Sequence, residues 1–197
     1  MRRLYKISEG MQRFANRKYM IPLAVVFIII LVLMEISPIS SSRLEQISGG
    51  RGMLDMQFGY SPAQTYTLLN DLGLEGRQVY TGLLGLDFAF AVVFMLLQSL
   101  LFTNLLNRVG ASPTLKLINL LPFVRSALDM LENICLLALL VNHPNQLPGL
   151  VGLASTITML KWIVYRVVIA IALILGMITT TKNFLPKNKI QLGSKTI

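Results

Sequence analysis

Eight polar side chains stand out because they interrupt apolar sequence. Arg125, Asp129, Glu132 and Asn133 fall inside a run from about Leu117 to Val141 that otherwise reads as lipid-soluble. Asp87 and Lys161 sit inside two further apolar runs, and Arg77 and Tyr80 lead into the one that holds Asp87. At about 100° per residue, Arg125, Asp129 and Asn133 advance by about 40° at each step, with Glu132 beside them. One helical wedge of about 100° therefore collects all four, and the opposite face is Leu, Ile, Ala and Cys.

Three chemistries suit this set. The first is an ionic staple. A charge near the centre of a bilayer costs on the order of 3 kcal/mol on insertion scales, so it needs a partner. Arg125 can pair with Asp129 one turn along, and Lys161 is the best partner for Glu132. Polar contacts of this kind hold helices together where no hydrophobic drive exists. The second is a ligand site. The excess of carboxylates over Lys161 suits a small cationic or amphiphilic molecule, or a lipid headgroup, arriving from the outer side, and proton-coupled transport is its variant. The third is a membrane enzyme in which Asp129 and Glu132 act as acid and base, with Lys161 as nucleophile or electrostatic stabiliser. Asp87, Asp129 and Glu132 could also offer an all-oxygen site to a hard cation. The nearby Lys161 opposes that, and neither a metal nor a cofactor is expected. The leading expectation joins the first two: a cluster that stabilises a bundle and binds a ligand.

The whole chain favours a membrane setting. It has 197 residues, 54% of them hydrophobic, and a mean hydropathy of +0.63, outside the range of soluble globular proteins. Its single cysteine, Cys135, excludes a disulfide framework or a cysteine-pair redox centre within one chain. The net charge of +9 does not imply nucleic acid. The basic residues gather at the ends of apolar runs, where orientation rules place them, and do not interleave with aromatics on a polar surface.

Elements to position these residues follow from the apolar runs. Residues 1–19 read as a basic amphipathic helix on an anionic cytoplasmic leaflet, with Leu4, Ile7, Met11 and Phe14 at helical spacing. The four spans expected are 20–37, 79–107, 117–141 and 149–180, and the first is expected to be an uncleaved anchor. Residues 38–78 form an outer loop. It holds a cap helix that starts at Ser61 as N-cap with Pro62 in the first position, and stops near Gly73. Gly82 and Gly85 are placed for close approach by another helix, and Pro122 is placed to kink the third span. Arg166 is expected to reach towards the cytoplasm. A basic tail, 181–197, follows. The fold expected is an all-α, four-helix transmembrane bundle forming one membrane domain, with both termini cytoplasmic. Its setting is a cell membrane, with a membrane protein or a second copy as candidate partner.

The strings GLEGRQVYTGLLGLDFAF, LDMLEN and TMLKW resemble a pattern of small four-span bacterial membrane proteins for which no activity is established. The resemblance runs from about Gly59 to Tyr165. It marks Gly76, Arg77, Tyr80, Asp87, Asp129, Glu132, Asn133 and Lys161 as signature positions. It implies that the cluster is a unit, and it supplies no chemistry.

Overall fold

A computed structural model describes residues 2–184; the basic tail beyond them, with Lys187, Lys189 and Lys195, lies outside the described residues. Among those described, every regular element is helical. The helices are α1 (Arg2–Phe14), α2 (Arg17–Ile36), α3 (Ser41–Ile47), α4 (Pro62–Asp71), α5 (Gly73–Val109), α6 (Pro113–Lys116), α7 (Leu121–Asn142) and α8 (Pro148–Phe184), with short 3-10 turns at Leu54–Met56 and Leu117–Leu120.

Local chemistry sets the helix ends. The Asn16 side chain caps α2 by accepting from Lys18 N–H. Ser61 and Gln64 form a reciprocal capping box at the start of α4, with Pro62 following, as the sequence predicts. Gly73 has φ +57, so the chain turns there and at once begins α5, earlier than the expected start of the second span. Pro122 sits in the first turn of α7. Its missing N–H costs nothing there, so it starts the helix instead of kinking it.

Cross-helix pairs fix an antiparallel order. Phe27 of α2 stacks on Phe94 of α5, while Met20 meets Asn104. Ser126 of α7 donates to the Ala91 carbonyl of α5, and Asn133 donates to Asp87. Lys161 and Thr158 of α8 meet Asp129 and Glu132 of α7. α5, α7 and α8 pack on one another, and α2 packs along α5.

Helices α2, α5 and α8 are long and apolar enough to cross a membrane. Their outward faces are apolar: Ile21 is 60% exposed and Ile28 57% on α2, and Leu173 and Met177 are each 62% exposed on α8. Aliphatic surface this continuous exceeds what a monomer usually shows to water.

Two apolar cores are separated along the bundle. One lies under α4 and the connection between α3 and α4 and includes Leu68, Leu69, Leu83, Leu136, Leu139 and Val151. The other lies at the opposite end and includes Phe102, Leu106, Val168 and Leu175. A polar layer occupies the space between them.

The glycines behave differently from expectation. A Cβ on Gly82 would lie 3.0 Å from Ile39 Cγ2, in the connection after α2, and a Cβ on Gly85 would meet nothing within 4 Å. Gly82 thus admits a loop side chain, and Gly85 is not a contact point with a helix.

Candidate functional site

The polar layer is an ion cluster shared by α5, α7, α8 and the connection between α3 and α4. On α7 the i,i+4 spacing brings Arg125 Nη2 to 2.6 Å from Asp129 Oδ2, a pair buried at both ends. From α8, Lys161 Nζ reaches both carboxylates of α7: 3.1 Å to Asp129 Oδ1 and 2.5 Å to Glu132 Oε2. Glu132 Oε2 takes no angularly regular hydrogen bond, so Lys161 holds it as a close ion contact. Thr158 Oγ1 donates to Glu132 Oε1 at 2.5 Å. Thr158 lies one turn before Lys161, so α8 presents a hydroxyl and an ammonium to the same carboxylate. Glu132 and Asn133 are fully buried and Asp129 is 2% exposed.

Asp87 enters through a different partner. Its Oδ2 accepts from Asn133 Nδ2 at 2.7 Å, so Asn133 is the bridge from α5 to α7. Tyr80, which leads into the apolar run of Asp87, is fully buried and points at the connection between α3 and α4. Its hydroxyl accepts from Leu54 N–H at 2.9 Å and donates to Asp55 Oδ1 at 3.2 Å. Arg77 is not in the cluster. Its Nη1 donates to the Leu69 carbonyl at 3.0 Å, near the end of α4, where it satisfies an orphan helix carbonyl.

Asp55 is the residue that sequence reasoning missed. The connection between α3 and α4 dips into the bundle at Leu54–Met56, and Asp55 is 4% exposed. Lys161 Nζ donates to its carbonyl at 3.3 Å, and Trp162 Nε1 donates to the same oxygen at 3.1 Å. Burial pushes the Asp55 carboxyl above its ordinary value of 3.8, and the charge of Lys161 opposes that rise. Nothing in the loop composition signals this, because a lone Asp between Leu54 and Met56 has no periodic context. Thr158 was missed as well, although its place one turn before Lys161 in the same apolar run is a signal that could have found it.

The guanidinium of Arg125 rests among aromatic rings. Its centre is 4.8 Å from the ring centroid of Phe94 and 5.6 Å from those of Phe90 and Tyr165. Arg125 Nη1 has no hydrogen-bond acceptor, and the π faces take that role. Arg166 likewise sits 4.9 Å from the ring centroid of Phe58. It reaches the connection between α3 and α4 and does not extend away from it, because helical side chains lean towards the amino-terminal end of their helix.

Beside the cluster lies a cavity of about 160 Å³, lined by Asp55, Asp87, Asp129, Arg125 and Lys161 on its polar side and by Phe90, Phe94, Trp162 and Tyr165 on its aromatic side. A dry cavity of about 150 Å³ is large enough to hold a benzene-sized molecule. No family model matches this chain, and neither a curated protein nor a solved structure matches it. The geometry alone therefore carries the functional argument. It offers fixed charges of both signs, aromatic faces and a small void, all within reach of one another.

Proposed function

We propose that this chain is a four-span integral membrane protein whose buried ion cluster ties three spans to the outer loop and whose cavity takes the ammonium group of a small amphiphile or lipid headgroup. α7 is the fourth span. Its 22 residues reach about 33 Å at about 1.5 Å per residue, enough for a hydrocarbon core of about 30 Å. Its charges are all turned inward, while Val124, Leu131 and Ile134 face outward at 50% exposure or more.

The basic residues support an orientation with α1 on the cytoplasmic side of a bacterial cytoplasmic membrane. Arg17, Arg108, Lys116 and Lys182 collect at one end of the helices. At the other end Arg43 and Arg51 are paired with Glu75 and Asp71. That asymmetry follows the positive-inside rule.

The single observation that carries the ligand reading is the charge count. Four carboxyl side chains (Asp55, Asp87, Asp129 and Glu132) share the layer with two cationic ones, Arg125 and Lys161. Four less two leaves two formal negative charges, to be neutralised by protons or by a bound cation. Aromatic walls beside those carboxylates favour an organic ammonium over a hydrated metal ion. Lys161 is held between two carboxylates, which favours a structural part for it over a nucleophilic one.

Trp162 is the only tryptophan of the chain and lines the cavity, so its fluorescence reports occupancy directly. The test is titration of the detergent-solubilised protein with choline, using its neutral isostere 3,3-dimethylbutanol as the counterpart. The expected result is a saturable change with the cation only, weakened as pH falls and protons compete. Equal response to the alcohol, or no saturation, would rule the proposal out.

A further inference from the structure

A second cavity lies further along α5, at the basic end of the bundle and several turns from the ion cluster. It is a groove of about 790 Å³ between α2 and α5. Its walls are apolar along most of their length: Met20, Ile21 and Ala24 from α2, and Leu97, Leu101 and Leu105 from α5. Its mouth is polar, with Arg17 at the start of α2 and Arg108 near the end of α5. Both arginines are exposed, and neither has an acidic partner among the described residues.

The two ends of this groove ask for different things. Two unpaired guanidinium groups suit a phosphate, which they can bind with paired N–H donors. The apolar wall runs from that point along the axes of two helices that cross lipid, and it suits an alkyl chain. We infer that the groove between α2 and α5 binds one anionic phospholipid of the cytoplasmic leaflet, its phosphate held by Arg17 and Arg108 and an acyl chain laid against Ala24, Leu97 and Leu101. The inference rests on the reading of α2 and α5 as spans. It is independent of any ligand at the ion cluster.

The site has a structural consequence. α2 packs along α5, and its outward residues are largely exposed. At the basic end Asn104 meets Met20, and a lipid laid along the groove adds contacts to both helices beside that one. The occupant would thus hold the first span onto the remaining three.

Native mass spectrometry of the full chain released from detergent tests this. The probes are phosphatidylglycerol, phosphatidylcholine and inorganic phosphate. An anionic surface contributes about a fivefold gain in affinity for each nearby basic residue, so Arg17→Gln with Arg108→Gln should weaken retention of phosphatidylglycerol by about 25-fold. Arg2→Gln with Arg3→Gln removes the same charge at the same end but far from the groove, and should change retention little. Leu101→Trp keeps both arginines and fills the groove, and it should also reduce retention. Equal losses in the two double variants would reduce the effect to general surface charge and overturn the inference. Retention of inorganic phosphate as strong as that of the lipid would do the same, by removing the acyl chain from the site. Alkaline carbonate extraction of membranes separates the two failures. A chain that washes off is not membrane-spanning at all, whereas a chain that stays and shows no preference has spans but no such site.

Discussion

Removing the Lys161 ammonium should leave Glu132 stranded. Lys161 contacts Asp129 at 3.1 Å and Glu132 at 2.5 Å, and it ties both to the connection between α3 and α4 through the Asp55 carbonyl. In Lys161→Met, Asp129 keeps Arg125. Glu132 keeps only the hydroxyl of Thr158, while remaining fully buried. Breaking a buried pair from one side costs about 3–5 kcal/mol, because the surviving charge has no compensation. For a chain of this length each kcal/mol lowers the melting temperature by about 2–4 °C, so the expected loss is about 6–20 °C. The chain provides its own reporter. Cys135 is its only cysteine and is buried, so a thiol-reactive dye added during a temperature ramp responds as the bundle opens. Lys161→Met with Glu132→Gln removes the charge from both sides. It should recover part of the loss, with a coupling of about 0.5–3 kcal/mol. If the double variant is as unstable as the sum of its parts, or if Lys161→Met melts like the parent, these residues do not act as one ionic unit.

Four further outcomes follow from the same geometry. Tyr80→Phe leaves the buried Leu54 N–H and the Asp55 carboxyl without their shared hydroxyl, and should cost about 1–3 kcal/mol in the same dye assay. Gly82→Ala drives a methyl to 3.0 Å from Ile39 Cγ2 and should lower the melting temperature. Gly85→Ala, which meets nothing, should leave it unchanged or raise it slightly, because Ala favours a helix by up to about 1 kcal/mol. Asp55 has a folded pKa above its ordinary 3.8, so the folded chain holds a proton that the unfolded chain releases. Its contribution is fully present below the unfolded value and is lost as pH rises through the folded value. Asp55→Asn should therefore flatten the fall in melting temperature across that window, and an unchanged slope would place the titration elsewhere.

Much of this protein was legible one helix at a time. A run of apolar residues needs no partner to declare itself, and neither does a wedge such as Arg125, Asp129, Glu132 and Asn133, because helical periodicity is a local property. The Ser61 capping box is local too. The Lys161–Glu132 contact could be anticipated because a lone ammonium and a lone carboxylate, each in an apolar run, have few other ways to be compensated. The tertiary structure decided what depends on chain segments distant in sequence. It brought Asp55 from a loop without periodicity onto Lys161 and Trp162. It gave Asp87 to Asn133 and turned Arg77 away to the end of α4. It also packed Phe90, Phe94 and Tyr165 around Arg125. Sequence spacing fixes which face of a helix a residue occupies. Which neighbour meets that face is set by the packing of α5, α7 and α8 and by the path of the loop that dips between them, because a contact is a property of two surfaces and no single segment contains both.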